Sequence, residues 1–166
     1  MPKETKTGQS TMTDISLDTK DLNILALLQQ NARMSVKEIA GKVHLSTTPV
    51  HERIKRLEAT GVIKQYATLV DHTKVKKGLI AICHVRLREH HKTAGAKFIK
   101  AINAMTEVIE CYNISGEFDF MLKVVSENMN AYHDFHVNQL SKVENMGHVQ
   151  SVFVMGIIKQ THQLVY

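Results

Sequence analysis

Near residue 61 the spacing of apolar side chains changes from that of a helix to that of a strand, and this switch constrains the fold more than any other feature of the 166 residues. Before it, apolar residues recur three and four apart: Ile24 and Leu25 with Leu28, then Val36, Ile39, Ala40 and Val43, then Val50, Ile54 and Leu57. Beyond it they alternate. Leu79, Ala81, Cys83, Val85 and Leu87 fall on one side of a strand, with Ile80, Ile82, His84, Arg86 and Arg88 on the other. The chain therefore divides into a helical half and a sheet half.

In the helical half the ends of the elements are marked. A first helix is expected over about 18–30, capped by Asp18. Ser35 and Glu38 have the spacing of a capping box, which starts a second helix that stops near Val43. Ser46 can cap a third, Pro49 is near enough to its start to be tolerated, and Gly61 supplies a left-handed end. A turn of only three or four residues between the second and third helices gives a helix-turn-helix. The bland alternative is a plain three-helix bundle. Charge argues against it: residues 1–77 hold thirteen basic and eight acidic side chains, whereas residues 78–166 hold eight of each. The excess points to an anionic partner for the first half alone.

Residues 1–14 are polar with little to bury, which predicts a disordered tail. With no apolar run near the roughly 18 residues a bilayer requires, neither a membrane anchor nor a signal peptide is expected, and the expected location is the cytoplasm. Cys83 and Cys111 are too few for a disulfide framework and read as small buried hydrophobes.

The sheet half opens with a connecting strand and hinge over 63–77. After the strand that begins at Leu79, Phe98, Ile102 and Met105 predict a helix. Strands over 108–114 and 118–125 flank a hairpin at Ser115, Gly116 and Glu117. A helix over about 127–140 carries Met129, Tyr132 and Phe135 inward, and a last strand runs over 149–158. The order β-α-β-β-α-β is a ferredoxin-like unit, with both helices on one face of the sheet. Because the other face is also apolar, as Val152, Val154 and Ile158 show, a homodimer packed through the sheets is expected, and larger symmetric rings are possible.

The segments LDTKDLNILALLQQNARMSVKEIA, VHLSTTPVHERIKRLEATGVI and ISGEFDFMLKV resemble the Lrp/AsnC, or feast/famine, family of prokaryotic transcription regulators, over residues 15–166. The resemblance implies an α+β chain: a winged-type helix-turn-helix over 15–62, the hinge, and an effector-sensing and oligomerisation domain over 78–166, assembled as dimers and often octamers. It implies double-stranded DNA as partner, no cofactor and no catalysis. For DNA contact the candidates are Ser46, Thr47 and Thr48 at the start of the third helix, then His51, Glu52 and Lys55, with Arg53 and Arg56 for phosphate or guanine. The family usually carries Gly at the turn after Val43, where this chain has His44, a residue that tolerates the left-handed conformation better than most. For an amino-acid effector, Gly116, Glu117, Phe118 and Asp119 match the family's hairpin motif, with Asp119 as the polar anchor. By the same resemblance Ser151 lies near this loop in a pocket between protomers.

Three other readings compete. The ferredoxin-like order is shared by an RNA-binding fold, in which Phe118 and Phe120 would stack bases, but carboxylates alternate with them and the half is uncharged overall. A metal or enzyme site would draw on the ten histidines, among which His133 and His136 share a helix face without an evident third ligand. An architectural protein that covers DNA with little sequence choice has the same fold and differs in salt dependence and specificity.

Overall fold

The computed structural model describes residues 15–166; the tail expected over 1–14 lies outside them. The chain forms two units, one of residues 15–68 with 160–166 and one of residues 69–159. No helix among the described residues is long and apolar enough to cross a membrane.

The first unit contains α1 (Thr19–Gln30), α2 (Val36–Val43) and α3 (Thr47–Ala59). Asp18 caps α1 and pairs reciprocally with Asp21, the side chain of each accepting the other's backbone N–H. Ser35 and Glu38 close the expected capping box on α2, and the Ser35 hydroxyl and N–H hold the Glu38 carboxyl below its ordinary pKa range. Lys20 donates from Nζ to the Val43 carbonyl at 2.7 Å, which satisfies an end of α2 from α1. Only His44, Leu45 and Ser46 separate α2 from α3. His44 is left-handed, φ 54° and ψ 54°, as the position usually held by Gly requires, and the Leu45 N–H returns to the Ala40 carbonyl. Ile24, Ile39, Val43, Val50 and Leu57 meet in a core from which water is excluded. Gly61 follows α3 with φ 74°.

Residues 64–70, expected as a connecting strand, form none. A strand needs a hydrogen-bonded neighbour, and none of the described strands pairs with them, so Tyr66, Leu69 and Val70 stay exposed. Residues 160–166 belong to the first unit, where the Gln29 side-chain amide bonds both the N–H and the carbonyl of Leu164.

The second unit contains β1 (Leu79–Leu87), α4 (Lys92–Asn103), β2 (Val108–Asn113), β3 (Phe120–Ser126), α5 (Met129–Asn138), a short 3₁₀ turn (Leu140–Lys142) and β4 (Met146–Phe153). The sheet is antiparallel in the order β2-β3-β1-β4, the ferredoxin-like arrangement. The alternation read from the sequence sorts the faces. Ala81, Cys83, Val85, Phe120, Leu122 and Val124 pack under Phe98 and Ile102 of α4 and Tyr132 and Phe135 of α5. On the other face Ile80 and Val125 are buried, Val152 is half exposed, and Lys123 and Glu110 form an ion pair at 2.9 Å, so this face is more mixed than its apolar pattern suggests.

Three expectations change. The last strand ends at Phe153 rather than 158; its partner β1 begins at Leu79, which in this register stands opposite residue 155, and leaves nothing for residues 156–158 to pair with. Met129 is half exposed, since the helix starts at Met129 with Asn128 as its cap and Tyr132 is the first side chain to turn inward. Cys111 is exposed, because β2 is the edge of the sheet.

Gly147 sits where β4 crosses the irregular register at Arg86 and Leu87. A Cβ there would lie 2.7 Å from the Arg86 carbonyl oxygen and 3.0 Å from the Leu87 carbonyl carbon, and backbone cannot step aside as a side-chain tip does. Gly147→Ala should destabilise the second unit by about 1–3 kcal/mol, measured by urea unfolding; unchanged stability would show that β4 shifts freely.

Candidate functional site

Of the residues expected to touch DNA, the structure divides α3 into two sets. Arg53 and Arg56, one turn apart, face α1. Arg53 donates from one guanidinium nitrogen to Asp18 and to Asp21, both at 2.7 Å, and Arg56 reaches the second Asp21 oxygen at 2.5 Å. The Asp21 side chain is 1% exposed, so the two guanidiniums supply the charge that keeps a carboxylate tolerable out of water. The Arg53 guanidinium is in turn held more firmly protonated, first by Asp21 and then by Asp18. Asp18, through the Asp21 N–H and then Arg53, lies below the ordinary carboxylate range. Arg53 is thus a clamp between helices rather than a free cation. Arg56 keeps half of its side-chain surface.

The second set is open. Thr47, Thr48, His51, Glu52 and Lys55 are exposed, and none of their side chains bonds another described residue. Ser46 precedes α3 in the capping position, but its hydroxyl makes no cap bond, contrary to expectation. The Ser46 hydroxyl is therefore not engaged with the N–H groups that open α3.

The hairpin residues also separate. Gly116 takes φ 114°, a conformation that a side chain would strain. Asp119 accepts the Leu87 N–H at 2.8 Å, stands 3.2 Å from His90 Nε2, and bonds Val85 and Ile114 through its backbone. Its carboxylate ties the hairpin to the end of β1 and keeps a quarter of its surface. Phe118 lies against His84 and His148, with ring centroids 5.4 and 6.0 Å away, on the face away from the helices. Glu117 is exposed. Ser151 is on the opposite face, beside Cys83 in the ladder, where it accepts from the Tyr132 hydroxyl. Within one chain Ser151 therefore does not join Gly116, Glu117, Phe118 and Asp119 in one site.

Phe118 and Phe120 likewise point to opposite faces, Phe120 into the core, which removes the stacking pair that RNA binding would use. No group of three or more His, Cys, Asp or Glu among the described residues is arranged to hold a metal ion.

Comparison with known proteins decides the family. A winged helix-turn-helix DNA-binding model matches residues 17–64, and a model of the Lrp/AsnC ligand binding domain matches residues 80–164. This chain belongs to the Lrp/AsnC family. The DNA-binding transcriptional activator DecR of Escherichia coli K12 is 33% identical over 148 residues, which are 89% of this chain and 97% of the relative. The leucine-responsive regulatory protein of Haemophilus influenzae is 35% identical over 150 residues, 90% of each chain. Among solved structures, a transcriptional regulator of Neisseria meningitidis in complex with L-Met is 35% identical, with a TM-score of 0.86 over 90% of this chain and 97% of that one. An AsnC family regulator from Agrobacterium tumefaciens is 34% identical, with a TM-score of 0.85 and the same coverage. The relatives of this Lrp/AsnC protein are transcription regulators and not enzymes, and the α+β fold read from the sequence is the one the family has.

Sequence reasoning missed the clamp, although its signal was present. Asp21 precedes Ile24, Leu25 and Leu28 by three, four and seven residues and so occupies the buried stripe of α1. A carboxylate there demands a cation nearby. Asp21→Ala and Arg53→Ala should each cost the first unit about 3 kcal/mol, and Arg56→Ala, half exposed, clearly less. Denaturant unfolding of the three variants gives the ranking; equal losses for Arg53 and Arg56 would refute the unequal roles.

Proposed function

We propose that this Lrp/AsnC regulator binds double-stranded DNA as a homodimer through the open flank of α3, and that an amino acid or related small metabolite bound between protomers controls it. The observation that carries the DNA reading is the division of α3. Its core and clamp sides are occupied within the unit, while Thr47, Thr48, His51, Glu52 and Lys55, with Ser46 before them, offer hydroxyls, an imidazole, a carboxylate and an ammonium to a groove. Exposed Arg56 adds charge at the margin, and Arg53 supports α3 from within. Two such helices related by a dimer axis reach successive major grooves, about one helical turn apart, and read a pseudo-palindromic site.

The face of the sheet away from α4 and α5 supports the dimer, since Val152 is left half exposed beside partly buried Ile82 and Met121. Exposed Tyr66, Leu69 and Val70 add apolar surface of the kind a second chain covers. For the effector, the Gly116 hairpin offers backbone N–H groups to a carboxylate, and Asp119 an oxygen to an ammonium. The effector acts by binding one assembly better than another.

A mobility shift on DNA upstream of the protein's own gene, with excess nonspecific competitor, tests the reading. A competitor-resistant complex supports a sequence-specific regulator; binding that competitor removes favours the architectural alternative. Lys55→Ala should weaken the complex and lower the slope of log affinity against log salt by about 1, with unfolding unchanged; unaltered binding would take Lys55 out of the interface. Asp119→Asn keeps an oxygen for the Leu87 N–H and removes the charge that an ammonium needs. It should fold normally and lose the response to an amino acid, and a retained response would remove Asp119 from the effector site.

A further inference from the structure

The excess positive charge of the chain has two sources, and the helix-turn-helix is only one of them. Residues 1–14 hold two basic and two acidic side chains, residues 15–68 eight and five, and residues 78–166 eight of each. Between the last two stretches lies the turn of residues 71–77, with Lys74, Lys76 and Lys77 against Asp71 alone. The second unit, residues 69–159, therefore carries its whole net positive charge on seven residues near its start. The DNA reading of α3 makes no use of them.

These residues bury little and are held as one object by hydrogen bonds. One Asp71 carboxylate oxygen accepts the Thr73 hydroxyl at 2.6 Å and its N–H at 3.0 Å, and the Asp71 carbonyl accepts the Lys74 N–H. The Thr73 hydroxyl, and then its N–H, hold the Asp71 carboxyl below the ordinary carboxylate range, so the anchor of the turn stays charged at neutral pH. At the other end His72 and Lys77 are joined twice. His72 Nδ1 donates to the Lys77 carbonyl at 2.9 Å, and the Lys77 N–H returns to the His72 carbonyl at 2.8 Å.

What the turn presents to solvent is cationic. Lys76 and Lys77 are exposed, and neither ammonium bonds another described residue. The Lys74 side chain is 82% exposed and stands 3.7 Å from Asp71, a loose pair of little energetic weight. Lys76 is also left-handed, at φ 57°, where glycine would be the less strained residue. Asn145 shares that conformation, but its side chain bonds both backbone groups of Glu89. The Lys76 ammonium has no such task inside the chain. Ammonium groups set on a preformed turn suit a row of phosphates, because each acts as a point charge that ignores the base and the turn loses little freedom on binding.

We infer that the turn of residues 71–77 is a second DNA contact, in which Lys74, Lys76 and Lys77 bind the phosphate backbone beside the bases that α3 meets. This rests on the DNA reading of α3. The chain permits it: the fourteen residues between Ala59 at the end of α3 and Lys74 span at most about 50 Å, or about 15 base pairs of duplex. A contact to backbone alone adds affinity without adding sequence choice. An anionic membrane is the poorer fit, since it calls for apolar side chains among the lysines and the turn offers only Val75.

Fluorescence anisotropy of the full chain across a salt series tests the contact, on a duplex several helical turns long from upstream of its own gene and on a scrambled duplex of equal length. Replacing Lys74, Lys76 and Lys77 together by Gln should lower the slope of log affinity against log salt by about 2–3 on both duplexes alike, with urea unfolding unchanged. Between about 50 and 200 mM salt the unaltered chain then loses on the order of 40-fold more affinity than the variant. Lys76→Gly removes one ammonium together with the left-handed strain, so the slope should fall by about 1 while stability does not fall. An unaltered slope in the triple variant, with Lys55→Ala still lowering it, would overturn the turn contact and leave α3 in place. A lowered slope in the triple variant with none in Lys55→Ala would keep the turn and count against the α3 reading. A fall on one duplex only would assign the lysines to bases and overturn the backbone contact, as would a Lys76→Gly variant that loses stability and keeps its slope.

Discussion

A carboxylate withdrawn from water needs opposite charge and hydrogen bonds at once, and in the first unit Asp21 obtains both from one face of α3. This requirement fixes more than a pair of side chains. Arg53 bridges Asp21 and Asp18, Asp18 is also the cap of α1, and the same two aspartates close the box that starts that helix. The beginning of α1 and the middle of α3 are thus held in one register by charge, while Ile24, Val50 and Leu57 fill the space beside them. Hydrophobic packing alone is tolerant of small rotations of a helix about its axis; a bidentate arrangement of guanidiniums on one carboxylate is not. The flank that α3 turns outward is therefore set by a contact on its inward side.

The sheet unit uses a different device. Alternation assigns each strand residue to one of two faces, and the helices cover only one. Everything chemical in this half follows from which face a residue received. Phe118 is placed with His84 and His148, and Ser151 with Tyr132 and Cys83, although Ser151 and His148 are only three residues apart on one strand.

Most of this organisation was legible in the sequence. Ser35 and Glu38, His44 in a glycine's place, and the alternation over 79–87 each report a local constraint, and local constraints survive reading along one dimension. The order of elements was legible for the same reason. What was misread depended on distant partners. The stretch 64–70 has the composition of a strand but no strand among the described residues to join, and β4 ends near the residues where its antiparallel partner β1 begins. The candidate sites show the same split. Ser46, Thr47, Thr48, His51, Glu52 and Lys55 stand exposed, as a helical repeat places them, whereas Arg53 required knowledge of what faces it across two helices. Ser151 was grouped with the hairpin by resemblance to a family, in a pocket between protomers; within one chain its own strand puts it on the other face of the sheet.

The case of Arg53 bears on how charge is read in DNA-binding proteins. The excess of basic residues in the first half measures the field a polyanion meets at a distance, and a paired arginine contributes to it together with its aspartate. Affinity at contact is a different quantity, because it counts cations that replace condensed counterions at phosphates. Arg53, shared between two carboxylates, and Lys20, spent on the Val43 carbonyl, would each have to abandon an internal partner to do so. Lys55 has no such debt among the described residues, and Arg56 a partial one. Among the described residues of this unit, the cations committed to internal partners and those left uncommitted are therefore different side chains, and the DNA contact proposed above is assigned to the second set.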